Sequence, residues 1–251
     1  MKELGIRDLW QTSTQNPYLF PLNFWMTPKL WDGESELEPL LRKYLAESYG
    51  PGCVESGLRY LETMERAWEM VQRETHYQAG FLGLFVMTFP NRMLPEKMMR
   101  QGVPEGIRKD LAEAESLAER ALKAAEEFSE SLHEFHALEA NILTVSAEVF
   151  YHRVKMRAGK VPVLDALHRG DGKEAVRAWG QVQRACEDMV AAARSAPNTD
   201  VLVKHWRRFE LLPARMKALA QHLPELAEKK SFRPILQPLY IGNLYGEDKK
   251  K

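Results

Sequence analysis

Apolar residues recur three or four positions apart along most of this chain, and that spacing places them on one face of an α-helix. The first clear stretch carries Leu37, Leu40, Leu41, Tyr44 and Leu45. The second carries Val54, Leu58, Leu61, Met64, Trp68 and Val71. We expect these two stretches to form a pair of antiparallel helices that pack on the aromatic segment 21–31.

The ends of the first helix are also indicated by the sequence. Ser35 and Glu38 have the spacing of a capping box, in which both side chains bond backbone amides at a helix start. Pro39 fits within the first turn, where its missing N–H costs little. Gly50 and Pro51 predict the end, because glycine can adopt a left-handed cap and proline cannot continue the helix.

The longest helical pattern covers residues 105–158. We predict two helices with a break near Ser129 to Ser131, because Ser131 and Glu134 have the spacing of a second capping box. The first helix has a heptad seam of Ile107, Leu111, Ala114, Ala118, Ala121, Ala125 and Phe128. The seam of the second helix is Phe135, Leu138, Ile142, Val145, Val149, His152 and Met156. Two such helices can form an antiparallel hairpin.

The remaining segments are also mostly helical in pattern. Residues 77–103 predict a less regular, apolar segment, and residues 159–172 predict a connector with a short helical turn. Residues 173–195 predict a helix whose inward residues are Val176, Trp179, Cys186, Val190 and Ala193. A last long helix is expected to be capped by Thr199 or Asp200, and Pro213 should kink or end it.

The predicted fold is therefore all-α: an irregular multi-helix bundle with short extended segments at both ends. Residues 1–20 read as an orphan strand and loop, residues 21–230 as the helical domain, and residues 231–251 as an extended C-terminal tail. An isolated strand needs a partner to pair with. The orphan strand thus favours the hypothesis that the chain is a fragment of a larger protein whose remaining sheet is missing from it.

Composition narrows the classes of function. Lys+Arg and Asp+Glu both number 35, so the net charge is zero, whereas a nucleic-acid binder needs a basic surplus to neutralise phosphates. The most apolar run, residues 79–90, is too short for the ~20 residues that span a bilayer. The first residues are not expected to be a signal peptide, because charges occupy the place of its apolar run. Localisation stays open, and a secreted or periplasmic parent is one alternative.

A resemblance to a known family rests on residues 31–61. Its elements are Trp31-Asp32, then Leu37, Leu41 and Tyr44, then Tyr49-Gly50-Pro51, then Tyr60-Leu61. This pattern resembles a domain of unknown function in bacterial glycoside-hydrolase-like proteins. In that family a (β/α)8 barrel is followed by a helical domain, and the pattern lies at the last barrel helix and the helices after it. Seven of the eight barrel units have no counterpart here, so no catalytic residue is carried over.

The resemblance implies that the first loop lies at the rim of a sugar cleft, because the loops at the C-terminal ends of barrel strands form the active site. The candidate sugar contacts in this loop are Trp10 and Tyr18 for stacking, and Gln11, Asn16 and Asn23 for hydrogen bonds to hydroxyls. The alternative is that both aromatic residues belong to the core.

Other candidate chemistry is weaker. His133, His136, Glu139, Glu148 and His152 share one helical stretch. Carboxylate-bridged di-metal bundles need Glu-x-x-His on two helices, however, and that pattern is missing from the chain. We therefore predict no metal site and no cofactor. Cys53 and Cys186 are too far apart in sequence for a zinc pattern and are expected to be buried.

The leading hypothesis is a non-catalytic helical accessory domain of a carbohydrate-active enzyme, which would buttress a barrel domain and shape a sugar cleft. Its partners would be a carbohydrate or the barrel. A helical scaffold or protein-interaction module is the alternative, which the methionine-rich segment 87–99 supports, since methionine adapts to different partners. A metal-dependent helical-bundle enzyme is the third possibility. The sequence does not indicate the sugar, the partner or the oligomeric state.

Overall fold

The computed structural model describes residues 22, 25, 26, 29, 36–86, 93–196 and 212–231. Within these ranges, the side chains of residues 71–96 and of Arg215 are left undescribed. The described residues contain helices and short turns and no β-strand, which confirms the all-α multi-helix bundle. The predicted orphan strand 1–20 and nearly all of the predicted tail 231–251 lie outside the described ranges.

The helices are numbered here in chain order. They are α1 (Leu37–Tyr49), α2 (Val54–Val86), α3 (Met93–Gln101), α4 (Glu105–Ser131), α5 (Ala137–Ala158), α6 (Lys160–Arg169), α7 (Gly172–Ser195), α8 (Leu212–Ala220) and α9 (Leu223–Lys229). Two 3₁₀ turns, Pro51–Cys53 and Glu134–His136, precede α2 and α5.

Four long helices pack side by side in the order α2, α4, α5, α7. Contacts near their ends show that neighbours run antiparallel. Arg59 of α2 pairs with Glu127 of α4 at 3.2 Å, and the Ser129 hydroxyl of α4 lies 2.8 Å from that of Thr144 in α5. The short helices α6, α8 and α9 cover α7, whereas α1 packs on the N-terminal half of α2.

The apolar seam predicted for α4 is confirmed, because Leu111, Ala114, Ala118, Ala121, Ala125 and Phe128 are all buried. Its alanines face α2 and α5, the helices that pack against α4. Gly57 of α2 leaves room for side chains of α1 and α4. A Cβ added at Gly57 would lie 2.7 Å from Cδ2 of Leu45 and 3.1 Å from Cε2 of Phe128.

The largest hydrophobic cluster surrounds α7. Trp179, Val182 and Cys186 are each fully buried there. A second cluster joins α1, the start of α2 and the end of α4, and the side chain of Trp25 packs against it. Trp25 meets Tyr44 edge to face, with ring centroids 5.5 Å apart. This contact agrees with the expectation that the α1–α2 pair packs on an aromatic segment.

The start of α1 differs from the prediction. The N-cap is Glu36, and no side chain bonds the helix start there, while Ser35 lies outside the described residues. Pro39 lies in the first turn as predicted, and Gly50 ends the helix with φ +95°. That positive φ explains the glycine, because other residues rarely adopt it.

The second predicted capping box, Ser131 with Glu134, is wrong. The Ser131 hydroxyl donates back to the carbonyl of Phe128 at 2.7 Å. The imidazole of His133 accepts the N–H of Phe135 instead. The predicted break near Ser129 to Ser131 is nevertheless confirmed, since α4 ends at Ser131.

Four residues on predicted apolar faces are exposed. Phe135 is 86 % exposed, Leu138 is 55 % exposed, Leu37 is 50 % exposed and Val176 is 40 % exposed. The predicted connector 159–172 is mostly a regular helix, α6, that begins at Lys160. Pro162 is compatible with this helix because it occupies the first turn.

Candidate functional site

The five candidate sugar contacts are not part of the described structure. Trp10, Gln11, Asn16, Tyr18 and Asn23 lie outside the described residues, so the cleft that the resemblance implies stays a prediction.

The histidines and acids of the α5 region do not converge. His133 caps the 3₁₀ turn, and His136 bonds its own neighbour Glu139 at 2.7 Å. His152 lies four turns further along α5. Among the described residues, no group of three or more His, Cys, Asp or Glu side chains is arranged to hold a metal ion.

His152 is enclosed between α5 and α7. Its Nε2 is 3.9 Å from a carboxylate oxygen of Glu148, and its Nδ1 is 4.0 Å from one of Asp188. Nδ1 is buried and has no hydrogen-bond partner within the described part of the chain. Burial lowers the pKa of His152, although the two carboxylates act in the opposite direction. The arrangement suits a neutral histidine at a helix interface.

Both cysteines are free and buried, as predicted. The Cys53 thiol donates to the carbonyl of Ser131 at 2.9 Å. Burial raises the pKa of Cys186 to about 11, so its nucleophilic thiolate form is rare near neutral pH. Neither cysteine has the exposed, electropositive surroundings of a catalytic thiol.

A surface depression lies where α6 and α7 meet. It is lined by Pro162, Glu174, Arg177, Ala178, Gln181 and Arg184. Arg177 donates two hydrogen bonds to Glu174, at 2.8 and 2.9 Å, and these bonds lower the pKa of that carboxyl. A carboxylate held in its charged form is a poor general acid at neutral pH. The depression therefore offers an ion pair and no acid–base couple.

The surface with the most exposed large hydrophobic side chains among the described residues lies at the Glu134–His136 turn. We call it the turn surface and define it by Glu130, Glu134, Phe135, Leu138 and Glu139, all of which are exposed. Phe135 and Leu138 are the most exposed large hydrophobic side chains among the described residues. The exposed ring of Phe135 leaves most of its apolar area in water. Apolar area left in water costs roughly 25 cal/mol per Å² of free energy relative to burial.

Aromatic ring contacts on the core side hold the turn surface in place. The ring of His136 lies against Phe135 on one side, with centroids 5.4 Å apart, and against Tyr49 on the other, at 5.2 Å. Tyr49 in turn meets the ring of Phe128, at 5.5 Å. The backbone N–H of His136 donates to the carbonyl of His133 at 2.8 Å. Phe135 thus projects from a turn that rests on the aromatic part of the core.

Hydrogen bonds also tie the turn to α2. The Ser131 hydroxyl, whose own proton goes to the carbonyl of Phe128, lies 2.8 Å from the hydroxyl of Ser56 and accepts its hydrogen bond. Ser56 is buried, and its oxygen also lies 3.1 Å from the carbonyl oxygen of Cys53. On the other side of the break, Ser129 bonds both Thr144 and the carbonyl of Ala140. These bonds fix the position of the turn relative to α2, α4 and α5.

Comparisons with known proteins found no match to this chain. No family model matches the chain, and no curated protein and no solved structure matches it. The family resemblance of residues 31–61 is therefore neither supported nor opposed by them.

The sequence pattern alone did not identify the turn surface. Phe135 and Leu138 continue the apolar seam of α5, so the pattern predicted that they are buried. A signal was nevertheless present in the charges. Residues 124–152 carry Glu126, Glu127, Glu130, Glu134, Glu139 and Glu148 and neither lysine nor arginine. An apolar pair inside an all-acidic stretch, next to a helix break, is typical of a surface position.

Proposed function

We propose that this chain is a non-catalytic helical module that acts by binding another protein. The observation that carries the proposal is the turn surface. Its aromatic ring and its leucine are exposed on a turn that hydrogen bonds and ring contacts hold in place. Exposed apolar side chains of this kind, rimmed by polar residues, are typical of interaction sites. The proposal corresponds to the interaction-module alternative that the sequence leaves open.

The rest of the described structure is consistent with a scaffold. Its clusters are filled by apolar side chains. Most of its ion pairs link residues three or four positions apart on one helix, as Lys229 with Glu225 and Arg177 with Glu174 do. Such pairs stabilise a helix surface modestly. Within the methionine-rich segment, the two methionines whose side chains are described, Met98 and Met99, are buried in the core.

A second candidate is the accessory domain of a carbohydrate-active enzyme. Its support is the resemblance of residues 31–61, whose described part folds into α1, the Pro51–Cys53 turn and the start of α2. The resemblance assigns this pattern to the last barrel helix and the first helices after it, so a helical structure is consistent with it. In this role the chain would buttress a barrel, and its first loop would contact the sugar.

Site-specific crosslinking tests the proposed binding role. A photo-crosslinking phenylalanine analogue is placed at Phe135, and the matched control carries it at Val176, which is exposed on α7. We expect one partner protein to be crosslinked stoichiometrically from position 135 and not from position 176. Equal capture from both positions, or none from either, contradicts the proposal.

Two further measurements separate the alternatives. Hydrolysis of aryl glycosides by the purified chain, lost on mutation of one carboxylate, would show that the chain is catalytic. Calorimetry with a panel of glycans tests the second candidate. Sugar binding that disappears in Trp10→Ala or Tyr18→Ala supports the accessory role. Sugar binding that survives both changes shows that Trp10 and Tyr18 are not sugar contacts.

A further inference from the structure

The turn surface has a definite charge as well as an apolar centre. Glu134 and Glu139 flank Phe135 and Leu138 in sequence, and Glu130 lies in the last turn of the preceding helix. All three carboxylates are on exposed residues. No lysine or arginine occurs from residue 124 to residue 152, so the stretch itself supplies no cation to neutralise them.

Both histidines of the turn make contacts within it. The Nδ1 of His133 accepts the N–H of Phe135 at 3.2 Å. His136 lies beneath Phe135 and is engaged by Glu139 at 2.7 Å. Of the Lys, Arg, Asp and Glu side chains that could surround the apolar pair, residues 124–152 contribute only glutamates.

We propose that the turn surface binds a basic amphipathic helix, in which apolar side chains pack on Phe135 and Leu138 and lysine or arginine side chains meet Glu130 and Glu134. The inference rests on the proposed function and specifies the partner. Opposite charges at the rim favour encounter and select the partner, while the apolar centre supplies most of the affinity. Peptide helices commonly bind by placing one apolar face against such a surface.

The rigidity of the turn favours this kind of recognition. Binding costs free energy when loops must become ordered. Here the turn is already held by the Ser131–Ser56 contact and by the ring stack on Tyr49. Little ordering is therefore left for the complex, and even a small apolar surface can contribute.

Binding of two designed helical peptides to the purified full chain tests the partner. One peptide carries leucine and lysine in an amphipathic pattern, and the other carries leucine and glutamate in the same pattern. We expect the lysine peptide to bind more tightly, by at least tenfold, and its binding to weaken as salt is added. Equal affinity for both peptides would contradict the charge argument.

Variants locate the site. Phe135→Ala should weaken binding of the lysine peptide about tenfold or more, as for an aromatic hot spot. The double variant Glu130→Gln, Glu134→Gln should weaken it several-fold and flatten its salt dependence. Val176→Ala, a truncation of an exposed apolar residue on α7, should leave it unchanged. Unchanged binding in Phe135→Ala places the site elsewhere and overturns the inference.

The experiments separate the failure of this inference from that of the proposed function. If position 135 crosslinks a partner whose contact surface is acidic or uncharged, the binding role stands and the basic partner is wrong. If position 135 crosslinks nothing, both are wrong. If the chain forms a dimer that Phe135→Ala dissociates in sedimentation, the surface binds a second copy and the basic helix is excluded.

Discussion

The contact between α7 and α9 allows a sharp test of the packing around the core. Gly172 is the first residue of α7 and follows the N-cap Asp171. A Cβ added at Gly172 would lie 2.7 Å from the Cα of Pro224 and 3.2 Å from its Cβ. The nearest atom belongs to the backbone of α9, so no side-chain rotation relieves the overlap. To restore ordinary carbon contacts of about 3.5–4.0 Å, α9 must move away by about 1 Å.

That movement disturbs buried contacts. Leu223, Leu226 and Ala227 of α9 are each no more than 2 % exposed, and all three belong to the large cluster around α7. Overpacking a well-packed core costs roughly 1–3 kcal/mol. We therefore expect Gly172→Ala to lower the free energy of unfolding by about 1–3 kcal/mol.

Gly180 provides the matched control on the same helix. A Cβ added there meets nothing within 4 Å, and alanine is favoured over glycine in a helix interior by about 1 kcal/mol. Gly180→Ala should therefore leave stability unchanged or raise it by up to about 1 kcal/mol. Urea unfolding followed by far-ultraviolet circular dichroism measures both variants, with the m-value as a check on the unfolded state. A Gly172→Ala protein as stable as the Gly180→Ala protein would refute the described approach of α9 to α7.

Two other predictions concern buried polar groups. Trp179 is fully buried and its indole N–H donates to the carbonyl of Met216 at 2.9 Å, so Trp179→Phe should cost about 1–3 kcal/mol through the lost bond and the space left behind. In the same urea assay Phe135→Ala should change stability by less than about 0.5 kcal/mol, and equal losses would contradict both burial assignments. Burial lowers the pKa of His152 below its ordinary 6.5, so the folded state binds the proton less readily than the unfolded state does. The contribution of His152 to the free energy of unfolding is complete above about pH 6.5 and is lost as the pH falls through the folded pKa. The His152→Asn variant should therefore lose less stability on acidification than the unchanged protein does. Parallel plots of stability against pH for the two proteins would contradict the lowered pKa of His152.

Periodicity predicted the helices well where a facing helix covers the whole seam. The seam of α4 is buried because α2 and α5 pack along it, and its residues from Leu111 to Phe128 follow the expected spacing. The break after Ser131 was also predictable, because serines compete with the helix backbone for hydrogen bonds. Which serine or histidine would cap the next turn was not predictable. That choice depends on Ser56, a residue distant in sequence that engages Ser131.

Periodicity did not predict burial correctly at positions where burial depends on whether another helix covers the residue. A spacing of three or four shows that Phe135, Leu138 and Val176 lie on apolar faces, but it does not show whether another helix reaches them. Phe135 and Leu138 come just after α4 ends at Ser131, so α4 does not extend over them. For the candidate site, therefore, the sequence placed Phe135 and Leu138 on the apolar seam of α5, misassigned their exposure and did not identify the turn surface. The sugar contacts of the first loop stay a prediction.

The position of the turn surface follows from how the bundle is assembled. Antiparallel neighbours bring the end of α4 and the start of α5 to the same end of the bundle as the start of α2 and the end of α1. The aromatic contacts from Tyr49 to Phe128 and the Ser131–Ser56 contact therefore meet directly beneath the turn. If this turn were only a connection, its stability would require no exposed aromatic ring, since His133 and Ser131 make its hydrogen bonds. Phe135 contributes exposed apolar area without contributing to the core, which is why a binding role accounts for it better than a structural one.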